Sequence, residues 1–222
     1  MEYDKRHYLT FIFYWGKRLS FHYKFLFLNG IILFGIAIII ALLTSLDTSL
    51  NNIFILSPTN PFVALVRVIS KLGSFVIITS MTLLLGIWLW LKKRIYEAIW
   101  VVATMGSCRI VFTMLKILVG RERPVFDEPL THALSYSFPS GHSVNSLMFL
   151  LVCYSIFSYR KSFLWIAIIG TLLIGWSRLA LGAHWFSDVL AGWGCGFMWI
   201  SIAYQVKISI PLQNYVNKYF PN

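Results

Sequence analysis

Residues 136–146 read YSFPSGHSVNS. This run joins two stretches apolar enough to enter a lipid bilayer, yet it places a proline, a glycine, a histidine and four serines in eleven positions. Proline removes a helical hydrogen bond and glycine loosens the backbone, so the segment is poor material for a membrane helix. It reads instead as a polar helix start, with Ser140 and Gly141 at the point where the next apolar run begins.

The apolar surroundings set the class. The chain is 58% hydrophobic and 12% charged over 222 residues, with a mean hydropathy of +0.73. Soluble domains carry about 25% charged residues, so the balance is that of an integral membrane protein. The length accommodates one domain with several spans and no second sizeable soluble domain. A net charge of +11 would suggest a nucleic-acid surface in a soluble protein. Here it is read as loop charge that orients the chain in a bilayer, with no nucleic-acid partner. Cys108, Cys153 and Cys195 lie in apolar stretches without CxxC spacing, which makes them small buried hydrophobes rather than a disulfide or metal set.

An apolar helix needs about 20 residues to cross the hydrocarbon core. Six such runs are expected, at residues 25–44, 72–91, 95–115, 143–159, 163–181 and 189–206, giving an all-α, six-transmembrane-helix bundle. The connection DTSLNNIFILSPTNPFVALVRVISK between the first two is polar and then amphipathic, and is expected to loop and then lie along the interface. Residues 1–24 are basic and aromatic, with an apolar core too short and too broken for a cleavable leader, and read as a cytoplasmic or interfacial segment. Residues 25–206 then form the membrane domain and 207–222 a cytoplasmic tail. Twelve of the nineteen Lys and Arg residues fall on one side of this layout, in the N-terminal segment, two connections and the tail. By the positive-inside rule both termini are expected in the cytoplasm.

Three polar clusters then gather at the opposite, extracytoplasmic face. The third span runs into KILVGRERP, with Lys116, Arg123 and Pro124; PSGH occupies 139–142; and SRLALGAHWFSD joins the last two spans, with Arg178, His184 and Asp188. Ionisable groups at membrane depth are costly and mark a functional site by default. Lys116, Arg123 and Arg178 supply positive charge and N–H donors, arginine being able to grip two phosphate oxygens at once. Ser140 and Gly141 add free backbone N–H groups and the positive end of a helix dipole. That donor set suits a phosphoryl group, with no carboxylate cluster to hold a metal beside it. His184 and Asp188 are spaced i, i+4, so the carboxylate can orient the imidazole and leave its other nitrogen free as a nucleophile. His142 is placed to protonate a leaving oxygen and later to deprotonate water.

Together KxxxxxxRP at 116–124, PSGH at 139–142 and SRxxxxxHxxxD at 177–188 resemble the three-part signature of the type 2 phosphatidic acid phosphatase (PAP2) superfamily, which also includes vanadium-dependent haloperoxidases. The resemblance implies a membrane bundle of the PAP2/haloperoxidase type. It also implies metal-independent hydrolysis, without a cofactor, of a lipid phosphate ester or diphosphate through a phosphohistidine. His184 would be the nucleophile, Asp188 its orienting partner and His142 the general acid and base. Lys116, Arg123, Ser140, Gly141 and Arg178 would bind the phosphate. Phosphatidylglycerol phosphate, undecaprenyl diphosphate and phosphatidic acid are the candidate substrates, and a bacterial inner membrane the expected location. An anion transporter and a lipid phosphotransferase are the alternatives. A transporter is disfavoured because the polar groups cluster at one face and line no path through the bilayer. Arg109, outside the motifs and seven residues before Lys116, lies on nearly the same helical face; contact with substrate and pairing with an acidic residue are alternatives, and an interior structural role is the expectation. Glu122, Asp127, Glu128 and His132 are expected in a solvated loop.

Overall fold

The computed structural model describes the backbone of residues 5–125, 130–131, 135–157 and 161–219, with side chains between residues 23 and 207. Asp127, Glu128 and His132 lie outside the described residues. Eight helices and no strands occur among those described: α1 (Lys5–Leu42), α2 (Thr44–Phe54), α3 (Val63–Leu72), α4 (Phe75–Leu91), α5 (Ile95–Val119), α6 (Gly141–Ile156), α7 (Lys161–Ala180) and α8 (Phe186–Tyr219). The fold is the expected all-helical bundle. Within it α1, α5, α7 and α8 contain stretches long and apolar enough to span a membrane alone, while α3 and α4 qualify as a pair bent by 42°. The sixth apolar helix, α6, is shorter, with 16 residues.

Two details depart from the sequence reading. The polar start of the first connection is not a loop but the helix α2, whose Asp47 and Asn51, four residues apart, are both buried. The next segment does form the amphipathic helix α3, burying Val63, Val66 and Ser70. Helical continuity also carries across residues 24–25 in α1 and 206–207 in α8.

Which face each helix buries follows from its neighbours. α6 is buried nearly all round, from Ser143 to Ile156, and forms the centre against which α7 and α8 pack. By contrast α1 leaves Phe25, Leu28, Ile32 and Ile39 exposed, an apolar surface suited to lipid rather than water. Its inner face meets α8 at Gly30 and Gly194. A Cβ on either glycine would stand 2.8 Å from the other's carbonyl oxygen, so only glycine permits this close approach. Gly192 does the same nearer the site: a Cβ there would lie 2.8 Å from the Ser140 carbonyl oxygen and 2.7 Å from Ser143 Cβ. Two cross-helix bonds tie the opposite half, from Trp100 Nε1 to the Ala203 carbonyl at 2.8 Å and from Tyr204 hydroxyl to the Leu151 carbonyl at 2.7 Å.

Candidate active site

The three polar clusters meet where α5 ends, α6 begins and α7 turns into α8. Gly120, with φ of +60°, ends α5 in the left-handed conformation that favours glycine. The chain therefore leaves the helix one turn after Lys116 and carries Arg121 and Arg123 back over the bundle. Gly182, with φ of +62°, ends α7 in the same way and delivers His184 to the start of α8.

His184 is 1% exposed and Asp188 fully buried. His184 Nδ1 lies 3.3 Å from Asp188 Oδ2 and 3.3 Å from the Ser137 hydroxyl, which itself donates to the same carboxylate oxygen. The backbone N–H of Trp185 also donates to Oδ2, at 2.9 Å. On the far side of the ring, Arg123 Nη1 stands 3.2 Å from His184 Nε2. A guanidinium has donors only, so Nε2 accepts, and the ring proton sits on Nδ1 facing Asp188. Burial first, then the charges of Arg123, Arg178 and Lys116, hold the His184 imidazole well below the usual histidine value. The ring is therefore neutral, with a lone pair turned toward the cations.

Each expected phosphate ligand has a defined place. Arg123 donates to the Ser135 carbonyl at 2.8 Å, the Tyr136 carbonyl at 3.3 Å and the Ala183 carbonyl, fixing its guanidinium between the strap 135–137 and the α7–α8 turn. Lys116 Nζ donates to the carbonyls of Tyr136 at 2.7 Å and Ser137 at 3.1 Å, so the strap is held from both sides. Arg178, 5% exposed, donates from Nη1 to Ser70 of α3 at 2.6 Å, while its Nε is buried without a partner. Ser140 caps α6, but its own N–H is already donated to the Asp188 carbonyl at 2.9 Å. This corrects one expectation: the free N–H groups of the helix start are those after Ser140, beginning with Gly141. The Ser140 hydroxyl is buried and unpaired. His142 stands on the first turn of α6, its ring Cδ2 3.3 Å from where a Gly73 Cβ would lie, in the corner between α3 and α4. A cleft of about 660 Å³ lined by Thr113, Lys116, Arg121, Arg123 and Tyr136 opens beside these groups.

Four further residues join the site that the sequence reading did not single out. Arg121 donates to Asp188 Oδ1 at 2.8 Å, to the Ser187 hydroxyl at 2.7 Å and to Asp47 Oδ2 at 2.7 Å. Asp47 in turn accepts the Ser187 N–H at 3.0 Å and the Ser187 hydroxyl. Ser137 completes the carboxylate's partners. The signals were present: Arg121 lies inside GRERP, Ser137 inside the quoted run, and Asp47 is an acidic residue next to a membrane span. Glu122 is exposed, as expected of a loop residue, and its carbonyl accepts Trp185 Nε1 at 3.1 Å. Among the described residues no three His, Cys, Asp or Glu side chains gather at metal-binding range.

A helical membrane bundle that carries a buried His–Asp pair beneath converging cations defines a narrow class of protein. The chain belongs to the PAP2 superfamily, whose profile matches residues 97–209 and so holds every cation and histidine just described. Phosphatidylglycerophosphatase B of Bacillus subtilis (strain 168) is 30% identical over 138 residues, which are 59% of this chain and 68% of that protein. An undecaprenyl-diphosphatase of Sulfolobus acidocaldarius is 36% identical over 84 residues, 35% of this chain and 37% of the relative. A lipid A 1-phosphatase of Rhizobium etli is 35% identical over 103 residues, 42% of each chain. The crystal structure of a transmembrane PAP2 type phosphatidylglycerolphosphate phosphatase from Bacillus subtilis superposes with a TM-score of 0.73 at 26% identity, covering 85% of this chain and 96% of that one. The chain is thus an integral membrane protein of the PAP2 phosphatase family.

Proposed function

We propose that this protein releases phosphate from the headgroup of a membrane lipid, with His184 as nucleophile. The observation that carries the reading is the His184 ring itself: Nδ1 is turned to Asp188 and Ser137, and Nε2 faces Arg123. His184 Nε2 attacks phosphorus, the bond from phosphorus to the lipid oxygen breaks, and His142 gives that oxygen a proton. His142 then takes a proton from water, whose oxygen attacks the phosphohistidine and frees phosphate and neutral His184. Asp188 holds the Nδ1 proton and balances the imidazolium-like charge that forms on attack. Lys116, Arg123, Arg178, the Ser140 hydroxyl and the Gly141 N–H stabilise the oxygens around phosphorus, a preorganised field that acts most strongly in a dry site.

A lipid substrate is supported by where the site stands. It lies at the helix ends, so a headgroup can reach it while the chains stay in the bilayer, and the relatives' names all specify lipid phosphatases. The charge distribution supports cytoplasmic termini and an extracytoplasmic site, in a bacterial inner membrane. The deciding experiment is phosphate release by the purified protein in detergent with EDTA. The panel holds phosphatidylglycerol phosphate, undecaprenyl diphosphate, phosphatidic acid and a water-soluble phosphomonoester, each run against His184→Ala. Release that the variant loses on at least one lipid is the expected result. Release that persists in His184→Ala, or vanishes in EDTA, overturns the mechanism.

A further inference from the structure

The amphipathic helix α3 carries a serine where its core stripe calls for an apolar side chain. VALVRVISKL buries positions 63, 66 and 70, an i, i+3, i+7 stripe on one helical face. Val63 and Val66 pack against Ala180 and Leu181 at the end of α7. The third position is Ser70, 4% exposed, and its oxygen accepts Arg178 Nη1 at 2.6 Å. One turn on, Gly73 has φ of −87° and ψ of 1°, a conformation open to any residue. Glycine is there for space: a Cβ would stand 2.5 Å from Ile174 Cγ2 and 3.3 Å from the His142 ring. α3 is therefore pressed onto α7 at both ends, and its polar position falls on Arg178.

The stereochemistry of the guanidinium says what this contact does. Its five N–H bonds lie in one plane, and that of Nε and one of Nη2 point the same way, along an edge that Nη1 does not share. Such an edge meets two phosphate oxygens in parallel. Ser70 occupies Nη1 and leaves the edge open. Nε, which lies on it, is buried without a partner among the described residues. A buried donor left unpaired is costly, so its acceptor is expected to come from outside the chain. Arg178 is also one of the charges that act on His184, which places the open edge near the nucleophile.

We propose that Ser70 is a positioning residue for the phosphate: it holds Nη1 of Arg178 so that the Nε–Nη2 edge faces the phosphoryl oxygens. This inference rests on the lipid phosphatase reading and deepens it, adding a residue from α3, which lies wholly before the segment 97–209 matched by the family profile. The serine touches Arg178 and not the substrate; its effect passes through the angle of the fork. A fork aimed at the oxygens around a five-coordinate phosphorus counts most in the transition state, so a misaligned one slows turnover more than it weakens binding.

The test uses the purified full-length protein in detergent, the lipid of the panel that it hydrolyses fastest, and orthovanadate as a probe of the phosphate site. Ser70→Thr and Ser70→Val have the same shape and differ in the hydroxyl alone; Ser70→Ala removes the hydroxyl without adding a methyl. Ser70→Val and Ser70→Ala are expected to lower kcat and orthovanadate affinity by about tenfold or more, the size of one hydrogen bond to a charged group. Melting temperature and affinity for inorganic phosphate should move far less, and Ser70→Thr should stay near wild type. In an Arg178→Lys background, where there is no fork to aim, Ser70→Ala is expected to cost nothing further. Ser70→Ala equal to wild type, Ser70→Thr no better than Ser70→Val, or an undiminished loss in the Arg178→Lys background overturns the inference. If thermal melts show that the added methyl unfolds both larger variants, Ser70→Ala and its Arg178→Lys cycle decide. Orthovanadate binding is read by titration calorimetry, without turnover. A wild type that releases phosphate from no lipid therefore overturns the phosphatase reading while the binding series still decides the role of Ser70, whereas an active wild type with an unaffected Ser70→Ala sinks the inference alone.

Discussion

Asp188 is the most heavily constrained side chain in the site. One oxygen accepts from Ser137, the Trp185 N–H and His184, and the other from Arg121. A carboxylate held from both sides cannot rotate, and that fixes the His184 tautomer in advance of any reaction. Asp188→Asn is therefore expected to keep the fold but cut kcat by about 10³–10⁴-fold, since an amide NH₂ turned toward Nδ1 favours the wrong tautomer. Phosphate release under saturating lipid checks this, and a loss of less than tenfold contradicts the orienting role. At this scale His142, His184, Asp188, Lys116, Arg123 and Arg178 were named from residue type, spacing and the family resemblance; the structure brings His184, Asp188 and Arg123 into contact, and the roles of all six belong to the proposed mechanism. The partners Arg121, Ser137 and Asp47 were not named, because hydrogen bonds across 51 to 74 residues leave no local pattern.

Among the elements, α2 is where sequence and structure part. TSLDTSLNNIF is rich in Ser, Thr and Asn, residues that compete with helical hydrogen bonds and favour turns. Tertiary contact decides otherwise. Asp47 and Asn51 fall on one helical face and turn inward, and Asp47 meets Arg121 and the start of α8. α2 is thereby clamped to the element that carries Asp188. Arg121 bridges two carboxylates whose side chains are 1% and 0% exposed. Removing a partner from a buried ion pair costs about 3–5 kcal/mol. Arg121→Ala, which strands both carboxylates, is expected to be worse than Asp47→Asn in melting temperature and kcat alike. The double variant should lose less than the two single losses added, because the sites share one partner. Additive losses in thermal melts would show that the bridge is not a unit. The six apolar runs, by contrast, were readable because a span's length and composition are local properties. The shape of their contacts, such as the Gly30–Gly194 crossing, was not, since many glycines look alike in sequence and few face a neighbouring backbone.

For the molecule as a whole, the length of α6 has a consequence for the membrane around it. Sixteen helical residues rise about 24 Å, while the hydrocarbon core is about 30 Å thick. If the far end of α6 sits at one boundary, its first turn lies several ångströms short of the other, and so do His142 and the groups gathered over it. The reaction zone then sits sunk below the level of the headgroups, and water and lipid phosphate descend to it together. Hydrophobic mismatch becomes part of the catalytic geometry: a thicker bilayer buries the zone deeper and a thinner one brings it toward the surface. Protein reconstituted in phosphatidylcholine vesicles of increasing acyl length is expected to slow steadily on the same lipid substrate, while its rate in detergent stays the common reference. A rate indifferent to chain length would mean that the lipid film thins to meet the short helix. By this reading the enzyme is a gauge of membrane thickness, and its turnover reports the lipid composition its products help to set.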